Sequence, residues 1–212
     1  MSVFGNYKIR RYANAVATVC LYELAPDRFD VRAKKAMKSA FQQWNINSTK
    51  DLVEKLNWLI SNGKREAFNE DRRKLMFISE ESRKTFFQSP TATHDRHFPL
   101  IQTVNEGSPQ LSEGGVAAVD FAWCIMLAMS GIQLKFMDQD YAQAFITKAI
   151  SGLQESFNSW EDFIIGFAVG SAYSSGLTFS DFFDRHKRFF VQQLVGRNSP
   201  AKRVKWTTSP FA

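Results

Sequence analysis

The residues of this sequence whose types could carry acid–base or metal chemistry are few and far apart. His94, Asp95 and His97 fall within four consecutive positions, a grouping that could hold a metal ion or form an acid–base pair. The HxxH spacing is a weak signal without further ligands, and surface-loop histidines are the plainer reading. Asp120 interrupts an otherwise apolar stretch, and Glu161 and Asp162 come shortly after Ser159. Acids in the first turn of a helix meet the positive end of its dipole, which requires no catalysis. An enzyme would need Asp120, Glu161 and a histidine to line one cleft. The sequence shows no nucleophile elbow, glycine-rich phosphate loop or helical pair of metal ligands. No catalytic residue, metal or cofactor is therefore assigned, and a carboxylate-centred enzyme around Asp120 stays an alternative.

Composition narrows the remaining classes. The 212 residues are 44% hydrophobic and 14% aromatic, enough to bury the core of one domain. Cys20 and Cys124 are the only cysteines and lie in apolar stretches, so both are expected as buried, reduced thiols. The opening is charged at Lys8, Arg10 and Arg11, but Glu23 and Asp27 interrupt the apolar residues after them. No signal sequence is expected, and the cytoplasm is the expected compartment. The formal charge of +6 is unevenly placed: seven of the 27 cations lie from Arg185 onward with no acid among them, leaving 20 cations against 21 acids in the body. Lys202, Arg203 and Lys205 with Trp206 combine charge with a stacking surface, which makes a nucleic-acid-associated protein a second alternative, while Trp206 reads equally as a dock for the tail on the domain.

Helical periodicity runs through most of the chain. Residues 7–25 carry helix formers closed by Pro26; residues 30–44 place Ala33, Ala36, Met37, Ala40, Phe41 and Trp44 on one stripe. Ser48 with Asp51 begins a third helix with Leu52, Leu56, Leu59 and Ile60 on one face, and Gly63 ends it. Another helix comes next with Phe68, Leu75 and Met76, and a short one over 80–87. Residues 88–115 contain three prolines and three glycines without sustained period, so they are expected as one long irregular connection.

Beyond it, the apolar stretch around Asp120 ends at Ser130-Gly131, too short to span a bilayer and so a core helix. An amphipathic helix is expected over 138–157. In FNSWEDFIIGFAVGSAYSSG, residues 157–176, Ser159 and Asp162 cap a helix in which Gly166, Gly170 and Ser174 recur every four residues, a groove for close packing against the Asp120 helix. A last helix begins at Ser180. Strand alternation is missing, so the fold is expected to be all-α: one compact multi-helix domain over 1–196 with buried central helices, and then a basic tail over 197–212.

Several of these residues together resemble a bacterial family, domain of unknown function 1266. Trp44-Asn45-Ile46, the leucine helix, and Gly63-Lys64-Arg65 with Phe68 are similar to its tryptophan-glycine-isoleucine, leucine-rich and glycine-histidine-arginine pattern. Asp120 sits where that pattern reads alanine-tryptophan-aspartate-x-x-arginine, and Ser159-Trp160-Glu161-Asp162-Phe163 with Gly170 resembles its serine-tryptophan-glutamate-glutamate-phenylalanine and later glycine. The resemblance covers about residues 30–176. This chain departs from it at Lys64 for histidine, Val119 for tryptophan and Trp123 for arginine. Asp120 thereby lacks an in-helix partner, and a buried carboxylate needs one; Arg65 or Lys64 is expected to reach it.

The resemblance implies accessory bacterial genes, some near toxins, where compact helical proteins serve as immunity factors. The functional expectation is a non-enzymatic protein-binding module, in its specific form an immunity protein that neutralises a toxin or secreted effector by direct binding, with no membrane association. The expected contact residues are Glu80, Glu81, His94, Asp95, His97, Glu113, Asp138 and Asp140.

Overall fold

The computed structural model describes residues 7–24, 34–89, 94–197 and 199–206. Pro26, Ala33 and the end of the tail beyond Trp206 lie outside them. All regular elements among the described residues are helical. The centre is α8 (Ala117–Gln133), in which every residue from Ala117 to Gly131 is buried. A helix apolar all round must be surrounded, and α9 (Gln139–Ser156), α10 (Trp160–Ser175), α4 (Thr49–Ser61), α3 (Lys34–Gln43) and α1 (Tyr7–Ala17) pack around it. Gly131 lies inside α8 rather than ending it. A Cβ there would crowd Leu52 and Met137, so this glycine serves close packing.

Local signals set the boundaries. Ser48 accepts from the Asp51 backbone N–H and the Asp51 carboxylate accepts from Ser48 N–H, a full capping box at the start of α4. Ser159 Oγ accepts from Asp162 N–H at α10. The final long helix, α11 (Phe179–Val195), starts one residue before Ser180 and takes its cap from Thr178. At the end of α3, Asn45 adopts φ 52°. Ile46 N–H donates to Phe41 O and Asn45 N–H to Gln42 O, the paired bonds of a Schellman motif, whose left-handed residue favours glycine or asparagine.

The small-residue groove forms as expected over two of its three positions. A Cβ at Gly166 would meet Gly115 O and Ala118; one at Gly170 would meet Val116 and Val119. Ser174 lies past this contact and is exposed.

Two expectations need correction. The stretch 88–115 is not one irregular loop, because it contains α7 (Phe98–Gly107) and a short 3-10 turn, Ser108–Gln110. Pro99 stands in the first turn of α7, where its missing N–H costs nothing and its fixed φ starts a helix instead of breaking one. Phe98, Thr103, Val104 and Gly107 are buried, and Thr103 Oγ1 donates to Leu177 O at 2.6 Å. Glu106 Oε2 accepts from both the N–H and the hydroxyl of Ser180 at 3.0 Å. Before α7, α6 (Glu80–Gln88) leans on it through Phe86 and Phe87 against Phe98, with ring centroids 6.1 and 5.9 Å apart.

The second correction is the tail. After α12 (Pro200–Arg203), Trp206 turns back into the core and is only 8% exposed. Its ring stacks on Phe163 with centroids 5.7 Å apart and meets Trp160 edge-on at 5.0 Å. Its indole N–H donates to Phe157 O at 2.7 Å, while the Trp160 indole donates to Val204 O at 2.7 Å. Arg11 also holds the turn, donating to Arg203 O at 2.7 Å. The tail thus forms a plug on the start of α10, and Trp206 is not a free stacking surface. Trp206→Ala should lower the free energy of unfolding by about 3–5 kcal/mol, read from urea denaturation followed by circular dichroism.

Candidate functional site

Asp120 is fully buried one turn into α8. Burial pushes its carboxyl up to about 6, opposed by backbone hydrogen bonds and the Arg65 charge, which favour the carboxylate. Oδ1 accepts from Lys64 N–H at 2.6 Å; Oδ2 accepts from Arg65 N–H at 3.1 Å and from the Arg65 guanidinium at 2.9 Å. The two backbone donors are orphan N–H groups at the start of α5 (Arg65–Met76), so a side chain from another helix caps this one. Arg65 continues across to α4, donating to Leu59 O at 2.8 Å and Ile60 O at 2.5 Å, carbonyls in its last turn. Gly63 makes the approach possible. Its φ is +64°, and a Cβ there would fall on the Asp120 carboxylate. The expected partner Arg65 is therefore the one found, with Lys64 contributing its backbone instead of its ammonium group.

Beside this clamp a cleft of about 260 Å³ opens between α3, α8 and α10. Its walls are Trp44, Lys64, Val119, Trp123 and the serines 171, 174 and 175, with Tyr22 and Gln43 completing it. Trp44 and Trp123 pack with centroids 5.4 Å apart, and Lys64 Nζ lies 5.9 Å from the Trp44 ring centroid. Ser171 Oγ and Trp44 Nε1 are buried without a hydrogen-bond partner among the described residues. Ser171 and Ser175 went unnoticed in the sequence, and Ser174 was read only as part of the small-residue groove, although their i, i+3, i+4 spacing at the end of an apolar helix marks one polar face.

The family is now decided by extent as well as motif. The chain belongs to the family described as "Protein of unknown function (DUF1266)", matched over residues 41–211. No curated protein and no solved structure matches it. The DUF1266 match runs past residue 176 through α11 and the Trp206 plug, so the tail is part of the domain's pattern. Lys64, Val119 and Trp123, the three departures from the resemblance drawn in the sequence, all line the cleft.

The remaining anticipated residues do not meet there. Glu161 is exposed in the first turn of α10; Trp160 and Ser159 hold the tail and the cap. His94 and His97 are exposed ahead of α7, where Asp95 Oδ1 accepts from His97 N–H at 2.8 Å. No cluster of possible metal ligands occurs among the described residues. Asp138 caps α9 through Tyr141 N–H at 2.8 Å, and Asp140, Glu113, Glu80 and Glu81 are exposed. These acids hang on elements with different neighbours, α6 on α7 and α9 on α8 and α4. Cys20 and Cys124 are buried and not disulfide-bonded; burial, then the Asp120 charge, push the Cys124 thiol up. No described helix is long and apolar enough to cross a membrane.

The clamp offers Asp120 only donors, so an amide in its place turns an N–H2 toward them. Asp120→Asn should reduce stability by about 1–3 kcal/mol in chemical denaturation; an unchanged midpoint would show that the carboxylate does not hold α5.

Proposed function

We propose that this protein is a protein-binding module whose contact surface centres on the corner between α5 and α6. One observation carries the reading: Met76, Phe77 and Ile78 are 73%, 92% and 41% exposed, with Phe86 at 40% close by in sequence on the next helix. A phenylalanine left almost wholly in water contributes nothing to its own core, and exposed apolar groups gathered in one place mark interaction surfaces. Glu80, Glu81, Arg73 and Lys84 are exposed in the same segment, giving charges of both signs around an apolar centre, the composition of an ordinary protein interface. Glu80 and Glu81, anticipated as contact residues of an acidic patch, stand at the rim in this reading; the aromatic anchor between the two helices replaces charge as the expected source of affinity.

The specific form of this reading is a bacterial, cytoplasmic immunity protein that neutralises a cognate toxin by occupying it. Its support is the toxin-linked setting that the family resemblance implies, a helical body, and buried cysteines without a disulfide, which suit a reducing compartment. The test is to capture tagged wild type and Phe77→Asp from the native host, identify the proteins that co-purify, and express that partner alone and with each form. The expected result is one stoichiometric protein, toxic alone, whose capture and neutralisation are lost in Phe77→Asp at unchanged melting temperature. A partner that binds Phe77→Asp as well as wild type would reject the corner as the surface, and capture of nucleic acid alone would reject the module.

A further inference from the structure

We propose that the cleft between α3, α8 and α10 is a binding site for a small aromatic monocarboxylate. Its volume, about 260 Å³, falls just under the ~300 Å³ at which ligand clefts usually begin, so it suits a single-ring molecule rather than a nucleotide. The walls divide by chemistry. Trp44, Trp123 and Tyr22 offer aromatic faces, and Lys64 and three serines offer donors. Lys64 makes no ion pair with a carboxylate among the described residues, and its ammonium nitrogen lies 5.9 Å from the Trp44 ring centroid.

Ser171 is 1% exposed, and its hydroxyl, like the Trp44 indole N–H, has no partner among the described residues. A buried donor left unsatisfied costs on the order of 1–3 kcal/mol, and both residues line the cleft, so that is where an acceptor can be supplied. A ligand bearing a carboxylate on a planar ring provides the acceptor, the charge for Lys64 and the face for the tryptophans.

The surrounding field selects one negative charge over two. Gln43 is the last residue of α3 and Ser175 the last of α10, so two helices end at the cleft, where their dipoles are negative. Asp120 lies just behind Lys64, its charge balanced by the Arg65 guanidinium. One ammonium group can balance a monocarboxylate there, whereas a phosphate dianion would be opposed by both helix ends, and a cation would meet Lys64.

The test tracks the tryptophan indole N–H signals of the 15N-labelled full-length protein during titration with benzoate, its neutral isostere benzamide, and inorganic phosphate, with the Trp44 signal assigned from Trp44→Phe. Benzoate should move the Trp44 signal saturably, and benzamide and phosphate should not. Lys64→Met should weaken benzoate at least about tenfold, and Lys64→Arg should restore it to within about threefold. Neither substitution touches the Lys64 N–H that holds Asp120, and the unshifted indole signals of Trp160 and Trp206 report that each variant is folded. Ser171→Ala should weaken benzoate by about threefold or more.

No benzoate shift at Trp44 overturns the proposal and leaves the cleft to ordered water. Equal binding of benzamide overturns the role of charge. Tighter binding of phosphate overturns the ligand class, and wild-type benzoate affinity in Lys64→Met overturns the site. Should Lys64→Met fail to fold, the benzoate–benzamide comparison on the wild type decides by itself.

Discussion

A carboxylate at the heart of an apolar helix is expensive, and the architecture is organised around answering it. Asp120 has no access to water, so its charge survives only because Lys64, Arg65 and the Arg65 guanidinium surround it with donors. In return the carboxylate caps α5, and Arg65 ties off the last-turn carbonyls of α4. One charge pair thus fixes the ends of two helices against the side of a third. Gly63 is the geometric condition, since only a residue without a Cβ can turn there and leave room for the acid. The cleft inherits its form from this arrangement, because Lys64 leaves the clamp on one side while Val119 and Trp123 stand beside Asp120 on α8.

The sequence disclosed those features whose physics is local or obligatory. Capping by Ser48 and Ser159 depends on residues three apart, and the apolar stretch around Asp120 had to be buried. Even the long-range partner Arg65 could be anticipated, because a buried carboxylate demands a cation and the end of the leucine helix supplied one. Asn45 takes the left-handed position after α3, a place asparagine fills next to glycine in preference. The features that stayed hidden depend on tertiary context. Pro99 reads equally as a helix breaker or a helix starter until the burial of Phe98 and Val104 is known. Trp206 comes after cations and reads equally as a free stacking surface or as a dock for the tail until the core at Phe163 is seen to take its ring. Ser171 hides among small residues that pack helices, and only the neighbouring Trp44 and Lys64 make it part of a cleft.

The two regions that stand out functionally are built oppositely. The cleft sits beside the clamp, where three helices meet and side chains are held by packing, the setting in which a small ligand is recognised with little reorganisation. The α5–α6 corner projects from the far end of the same α5, on a short helix with no buried residue, and presents apolar side chains outward. The clamp therefore anchors one end of the element whose other end carries the proposed contact surface. Because α5 is the shared element, loosening the clamp is expected to reach both regions.

The clamp is best tested by a double-mutant cycle between Arg65 and Asp120, using Arg65→Met, Asp120→Leu and the pair together in urea denaturation. Either single substitution strands a buried charge and should cost about 3–5 kcal/mol, while the double substitution, leaving none, should cost clearly less than the sum, a coupling of roughly 2 kcal/mol or more. Additive losses would contradict the account, because they would mean that Arg65 and Asp120 support the fold independently and that no single interaction holds α4, α5 and α8 together.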